Sequence, residues 1–478
     1  MRRLRRTKVV ATLGPSSSDR AVISQLFLAG ADVFRINMSH TPHDKMRMLV
    51  ESIRAVESEH DRPIGILVDL QGPKLRLGTF AGGGAMIAKG STFILDTDKT
   101  AGDATRVHLP HPEIFASVEP GQTLLLDDGK VRLTTLDTSS ERIVTRVEVG
   151  GRLSDRKGIS LPETTLSFSG MLEKDRSDLE AALDAGIDWV ALSFIQRPED
   201  IAEAKKITRN RATVVAKIEK PQAVLRLAEI LDVADALMVA RGDLGVEMPL
   251  EKVPGIQKQI TRAARRAGKP VIVATQMLES MISAPVPTRA EVSDVATAIF
   301  EGADAVMLSA ESAAGQYPAE AVMTMNRIAE EVESDPTYRA VIRAQHAEPE
   351  ATGADAIAAA ARQIAETIDL SAIICWTFSG STAFRVARER PESPIVAISP
   401  NLSTARRLSL VWGVHCVVAE DAHDQDDMVE RASRIGFREG FAKPGRRVII
   451  VAGVPLGTPG ATNMLRIAFV GADKIDSE

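Results

Sequence analysis

Aromatic side chains are scarce in this chain of 478 residues, at 4% of the total, and they leave little for stacking on bases. Cysteine is nearly absent. Cys375 and Cys416 are the two present, far apart and without partners at metal-ligand spacing, so a disulfide framework is unsupported and a reducing cytoplasm is expected. There is no excess of basic charge: the net charge is −6, which argues against a nucleic-acid partner. No apolar run reaches the ~20 residues of a membrane helix, so no membrane association is expected. The basic start Met1-Arg2-Arg3-Leu4-Arg5-Arg6 imitates the head of a secretion signal. The apolar stretch behind it, Val9 to Leu13, is short and stops at Gly14-Pro15, which favours a basic arm before a first strand.

What is present is alternation. Short β-branched runs recur at Lys8–Leu13, Asp32–Ile36, Ile64–Asp69, Trp189–Ser193, Thr213–Ile218, Ala236–Val239, Val271–Thr275 and Ala305–Leu308. Helix-like stretches such as Pro198–Thr208, Pro221–Leu231 and Val253–Ala267 separate most of them. Parallel strands need such crossovers. Eight repeats over about 250 residues, once the interruption after the third is set aside, predict a (β/α)8 barrel, with a doubly wound sheet as the alternative. The interruption is rich in turns (Gly82-Gly83-Gly84, Pro120-Gly121, Asp127-Asp128-Gly129) and short strand candidates, and reads as a small inserted β-barrel domain. A further α/β domain follows a linker at Ala344–Ala354. The expected boundaries are 1–73 and 168–343 for the barrel, 74–167 for the insert and 344–478 for the C-terminal domain.

Polar residues gather at the C-terminal ends of the predicted strands, where barrels of this kind assemble their sites. The ends read Arg35 to His40, Asp69 to Arg76, Lys217-Ile218-Glu219, Arg241-Gly242-Asp243, Thr275-Gln276 and Ser309-Ala310-Glu311. Lys217 and Glu219, two apart on one strand, point the same way. Glu219 and Asp243 offer two hard oxygens of the sort Mg²⁺ accepts, and Arg35 and Arg76 offer planar forks for phosphate. Singly, each has a bland use: Lys-x-Glu as a solvated pair, Asp69 before Gly-Pro as a turn cap, Thr275 as a β-branched core residue. Charged groups at nearly every strand end together point to a ligand.

Thr7 to Pro15, Arg35 to His40, Asp69 to Arg76, Lys217-Ile218-Glu219, Val239 to Gly245, Ala274 to Leu278 and Pro287 to Ala296 resemble, in order and spacing, the motifs of the pyruvate kinases. The resemblance implies Mg²⁺-dependent transfer (Mn²⁺ as a substitute) of the phosphoryl group of phosphoenolpyruvate to ADP, giving pyruvate and ATP, by a cytoplasmic homotetramer. It implies Mg²⁺ on Glu219 and Asp243, and catalysis by Lys217, Arg35 and Thr275. Substrate would lie against Arg35, Lys217, Gly242, Asp243 and Thr275, and nucleotide against Asn37, Ser39, His40, Arg76 and Lys157. A proton relay through Thr275, Ser309 and Glu311 is a further expectation. A phosphoenolpyruvate/pyruvate-type barrel lyase and a catalytically silent relative are the competing readings.

Two positions depart from many relatives. Lys74 replaces a glutamate beside the monovalent-cation pocket of Asn37, Ser39 and Asp69, and Leu70 replaces a threonine there. A fixed ammonium near that pocket predicts that K⁺ is not required, the alternative being that Lys74 points to solvent while Asn37, Ser39 and Asp69 still bind K⁺. In the C-terminal domain, Thr377, Ser379, Gly380, Ser381 and Thr382 sit between a strand and a helix and suit a phosphate. Phe378 stands where fructose-bisphosphate-activated relatives can carry lysine, and the loop Pro455–Asn463 has no basic residue. AMP or a hexose monophosphate is therefore the expected effector, the alternative being a plain helix cap.

Overall fold

A computed structural model describes residues 2–165, 170–346, 348–457 and 460–471. Eight parallel strands close into a barrel: β1 (Lys8–Leu13), β2 (Val33–Asn37), β3 (Gly65–Asp69), β4 (Trp189–Leu192), β5 (Thr213–Ile218), β6 (Ala236–Ala240), β7 (Val271–Ala274) and β8 (Ala305–Leu308), each beside its sequence neighbours, with β8 returning to β1. Local chemistry sets the helix ends between them. Asp19 accepts from the amide of Ala21 at 2.7 Å to open the helix Arg20–Ala29, and Gly30, at φ +139°, closes it. The stretch expected as one helix over Pro221–Leu231 is broken at Arg226 into Pro221–Leu225 and Leu227–Val233.

Because side chains alternate across a strand, each strand sends every second residue into the barrel. Val10, Val33, Leu67, Trp189, Ala191, Val215, Ala236, Met238, Ile272, Ala274, Ala305 and Met307 fill that interior and are all fully or almost fully buried. Their neighbours of opposite parity, such as Val9, Phe34, Val68 and Ile218, pack outward under the helices. Two residues beyond the apolar interior, the inward positions turn polar: Thr12, Arg35, Asp69, Ser193 and Lys217. One packing rule thus fills the core and convenes the site at its upper rim.

The chain leaves the barrel after β3 and forms a β half-barrel of a six-stranded sheet and a two-stranded ribbon, with one short helix at Pro112–Ser117, around its own core with Phe93, Leu95, Leu124, Leu133 and Ile143. The expected strands at Thr92, Thr123, Val131 and Arg142 are present. Four shorter ones, at Gly84–Ile87, Arg106–His108, Gly151–Ser154 and Ile159–Ser160, were too brief to show a period. The expected change from insert to barrel at 167/168 lies outside the described residues.

A five-stranded sheet forms the C-terminal domain: β9 (Ala372–Trp376), β10 (Ile395–Ser399), β11 (Val414–Val418), β12 (Arg447–Gly453) and β13 (Thr462–Phe469), in the order β11-β10-β9-β12-β13. The antiparallel β13 was not expected, since its exposed edge interleaves Asn463 and Arg466 with its apolar residues. Of the expected linker, Ala347 lies outside the described residues, as do Thr458 and Pro459 of the loop Pro455–Asn463. The basic start is a clasp between barrel and C-terminal domain: Arg5 pairs with Asp32 at 2.8 Å, Arg6 lies over the Trp412 ring at 5.4 Å, and Lys8 donates to the carbonyl of Val414 at 2.8 Å. Both cysteines are free and buried. Among the described residues no helix is long and apolar enough to cross a membrane.

Candidate active site

Lys217 stands at the centre of the barrel mouth. Its ammonium lies 3.2 Å from Asp69 Oδ1, 2.9 Å from Glu219 Oε1 and 2.7 Å from Ser193 Oγ, to which it donates. Ser193 in turn donates to the carbonyl of Leu70 at 2.7 Å, which turns its lone pairs toward the lysine. Arg35 completes the frame, donating to Asp69 Oδ2 from Nε at 2.8 Å and from Nη2 at 2.6 Å, and to Thr12 Oγ1 at 3.0 Å. Two cations on one buried carboxylate outweigh the cost of its burial and hold Asp69 below the usual carboxylate range. Burial alone would lower the Lys217 pKa; Asp69 and Glu219 reverse this and keep it an ammonium.

Glu219 is fully buried. Its Oε2 accepts from the amide of Phe194 at 2.6 Å, a contact made possible by the φ of +55° at Phe194. Its Oε1, although near the Lys217 ammonium, has no aligned hydrogen bond. Burial first, then the charge of Asp243, pushes the carboxyl up to about 7 against the pull of Lys217. In this pair the lysine keeps its charge and the glutamate is the member that yields. A buried, poorly satisfied carboxylate oxygen near a second carboxylate fits a divalent cation. Among the described residues no three His, Cys, Asp or Glu side chains gather as a ready metal cage. An ion on Glu219 and Asp243 would therefore complete its shell with substrate oxygens and water, as Mg²⁺ commonly does.

Asp243 lies in the first turn of the helix Arg241–Glu247, which begins directly after β6. Across from it Thr275 (φ +69°) and Gln276 (φ +52°) are both left-handed, a strained pair held by Arg241, which donates to the carbonyls of Ala274 and Thr275 at 3.3 and 2.6 Å and pairs with Asp294 at 2.7 Å. The result aims the Thr275 hydroxyl at the amide of Gly242, 2.8 Å away. Glu311 is differently employed: its oxygens accept from the amides of Leu278 at 3.1 Å and Ser309 at 2.7 Å, so it ties two loops together.

The remaining expected residues divide. Asn37, beside Asp69 in the β2–β3 register, accepts from the amide of Ser39 at 3.0 Å, whereas His40 is exposed. Lys74 is exposed, forms no ion pair among the described residues, and shares a cleft with Asp128, Lys220, Asp243 and Glu247. Arg76 and Lys157 face the insert: Arg76 donates to the carbonyl of Arg156 at 2.9 Å, and the Lys157 ammonium rests 2.8 Å from Asp127. Sequence reasoning missed Ser193, Thr12 and the buried pair Lys220–Glu247, 2.7 Å apart. The parity of β4 (Trp189, Ala191, then Ser193) was the signal that could have found the serine. In the C-terminal domain, Trp376 to Thr382, Asp421 and Gly453 to Thr462 bound a separate pocket, described apart from Thr458 and Pro459. There Thr377 Oγ1 accepts from the amide of Gly380 at 3.0 Å, Thr382 bonds Thr462 at 2.7 Å, and Ser379 and Ser381 face each other at 3.3 Å.

Such a barrel, with cations and carboxylates converging at its C-terminal rim, defines a (β/α)8 enzyme for an anionic substrate and a metal ion. The family description "Pyruvate kinase, barrel domain" matches residues 4–322, and "Pyruvate kinase, alpha/beta domain" matches residues 355–468. The chain belongs to the pyruvate kinase family. It is 64% identical to a pyruvate kinase of Methylorubrum extorquens over 470 residues, 98% of each chain, and 47% identical to one of Agrobacterium vitis over 98% of this chain and 99% of that one. A crystal structure of a pyruvate kinase from Cryptosporidium parvum superposes with a TM-score of 0.92 at 31% identity, covering 98% of this chain and 96% of that one.

Proposed function

We propose that this pyruvate kinase works through Lys217, Glu219 and Asp243 as one unit. The activity of the family, transfer of the phosphoryl group of phosphoenolpyruvate to ADP, is that of this chain. The observation that carries the assignment is the Lys217 ammonium, buried and shared among Asp69, Glu219 and Ser193 at the barrel mouth. A phosphoryl group in flight spreads negative charge and asks for positioning and positive charge, which a preorganised ammonium supplies. Glu219 and Asp243 would hold Mg²⁺, or Mn²⁺ in its place; when bound, that ion neutralises and orients the substrate oxygens. Arg35, held by Asp69, adds a fixed guanidinium for the phosphate. The amides at the start of the helix, Asp243 and Gly242, would meet the substrate carboxylate, the Gly242 amide once it leaves Thr275 Oγ1, to which it now donates at 2.8 Å. Thr275 is turned toward that same amide and would orient the enolate for protonation.

The nucleotide would be met by Asn37, Ser39, His40, Arg76 and Lys157, the last two carried by the insert. Lys74 would stand in for K⁺ near Asn37, Ser39 and Asp69, a reading that its lack of an ion-pair partner among the described residues favours; its exposure to solvent favours the alternative, in which Asn37, Ser39 and Asp69 still hold K⁺. The serine-rich loop Thr377–Thr382 would take the phosphate of AMP or a hexose monophosphate. Assembly into a homotetramer is carried over from the family, and Ile467 and Phe469, exposed on edge strand β13, would be covered by a further copy; the two free thiols support a cytoplasmic home. Domain limits of 1–73, 74–167, 168–343 and 344–478 fit this division of labour.

The test is a lactate-coupled assay of Glu219→Gln and Asp243→Asn against free Mg²⁺. Either change is expected to raise the Mg²⁺ requirement at least about tenfold and to lower kcat about 10²-fold or more. Unchanged Mg²⁺ dependence in both would remove these residues from the metal.

A further inference from the structure

Three arginines meet in a small cavity on the seam between the barrel and the C-terminal domain, away from the barrel mouth. Arg265 lies near the end of the barrel helix Val253–Arg266; Arg388 ends the helix Ser381–Arg388, and Arg390 follows it. All three line the cavity, and all are about nine-tenths buried or more: Arg265 is 9% exposed, Arg390 7%, and the Arg388 side chain 8%.

Their charge is incompletely answered. Arg390 Nη2 donates to the carbonyl of Gly302 and to Asp304 Oδ1, each at 3.0 Å. Arg265 Nη1 donates to Gln345 Oε1 at 2.6 Å. Arg388 donates to the carbonyl of Glu348 at 3.2 Å and reaches Asp355 at 3.3 Å, but that carboxylate also serves Arg385 at 2.6 Å. Asp304 is the one carboxylate in the cavity wall, and its other oxygen accepts from the amide of Val271. Four guanidinium nitrogens remain buried without a hydrogen-bond partner among the described residues: Arg265 Nε, Arg388 Nε, Arg390 Nε and Arg390 Nη1.

An unsatisfied buried donor is costly, more so when charged, and in native proteins such groups commonly mark a bound water or ion. Burial first, and then the charge of Arg390, pull the Arg265 pKa down to about 10, with Asp304 opposing. The chain also accepts a φ of +52° at Arg390, whose guanidinium lies 4.5 Å from the Trp412 ring centre. The cavity is small, with enclosed room for about one water-sized sphere. A water would leave the positive charge standing. A monatomic anion neutralises it and accepts from several directions at once.

We propose that this cavity is a halide site, occupied by chloride, which fastens the C-terminal domain to the underside of the barrel. The inference is independent of the roles given to the barrel mouth. Crystals of the full-length wild-type chain grown in sodium bromide, measured at the bromine absorption edge, are expected to show an anomalous peak among Arg265, Arg388 and Arg390. Sodium chloride is expected to raise the thermal midpoint of the wild type by at least about 2 °C over sodium gluconate at equal ionic strength. In Arg388→Gln that difference is expected to vanish. A cavity without bromine density overturns the proposal. So does bromine density without chloride-specific stabilisation, which would make it an adventitious ion only. If Arg388→Gln does not fold, the two wild-type measurements still decide.

Discussion

Replacing Lys217 with methionine separates binding from chemistry. The ammonium has three partners, at 3.2, 2.9 and 2.7 Å, and the substitution removes it while keeping much of the side chain's volume. Stability is expected to fall by less than the ~3–5 kcal/mol usual when one partner of a buried ion pair is deleted. Asp69 keeps Arg35 at 2.6 Å, and Glu219, already pushed up to about 7, takes a proton rather than stay charged alone. On the proposed assignment phosphoenolpyruvate would keep Arg35 and the amides at the start of the helix Arg241–Glu247, so its binding should change little. The migrating phosphoryl group loses its preorganised cation, and kcat is expected to drop about 10²–10³-fold, or roughly 3–4 kcal/mol of barrier. The assay is lactate-coupled turnover at saturating substrate, with fluorescence titration of phosphoenolpyruvate on the same protein. A kcat within a factor of a few of the parent would refute the reasoning. So would a lost kcat accompanied by equally lost binding.

Other outcomes follow from particular contacts. The wild-type enzyme should be as active in tetramethylammonium buffer as in K⁺, and Lys74→Glu should acquire a K⁺ requirement; strong stimulation of the wild type by K⁺ would count against the substitution of ammonium for ion. Calorimetry with AMP and hexose monophosphates should detect binding that Ser379→Glu abolishes, whereas identical heats from both proteins would reduce the loop to a helix cap. Glu439 is held at about 2, first by its hydrogen bond from His415 at 3.1 Å and then by Arg62, against the opposing effect of burial. A depressed carboxyl stabilises above its unfolded pKa of about 4.3 and loses that contribution as pH falls toward 2. Burial also lowers the His415 pKa, so below about 6.5 the unfolded chain takes up that proton first, and acid destabilises there too. Urea midpoints for Glu439→Gln should thus lie below the wild type at pH 7 and draw together with it between about pH 4 and pH 2; parallel curves would exclude the linkage.

Much of the architecture was legible because it rests on period. Eight β-branched runs spaced by amphipathic stretches leave few options besides a barrel, and the polar step after each run marks its upper rim. Lys217-Ile218-Glu219 could be read as a pair on one face from parity alone. What parity alone did not convey was which rim residues would touch. That Asp69 bridges Arg35 and Lys217 depends on neighbouring strands meeting in register, and that Ser193 receives the lysine depends on a turn at Phe194 with no sequence marker of its own. The short strands of the insert and the edge strand β13 escaped for a different reason: two to four residues carry no readable period, and a solvent-facing edge mixes polar and apolar positions.

The exit from β3 has a mechanical consequence. Asp69 is clamped by Arg35 and Lys217, while a few residues on Arg76 bridges to Gly158 and Leu77 donates to the carbonyl of Lys157 at 2.8 Å, so the chain already belongs to the insert. Between them lie Gly72, at φ +67° and too close to Ser193 for any side chain, and Pro73. A swing of the insert about that pivot would carry Arg76 and Lys157 bodily and leave Asp69 and Lys217 where they are. The groups expected to greet the acceptor ride on the door, and those expected to grip the donor are built into its frame.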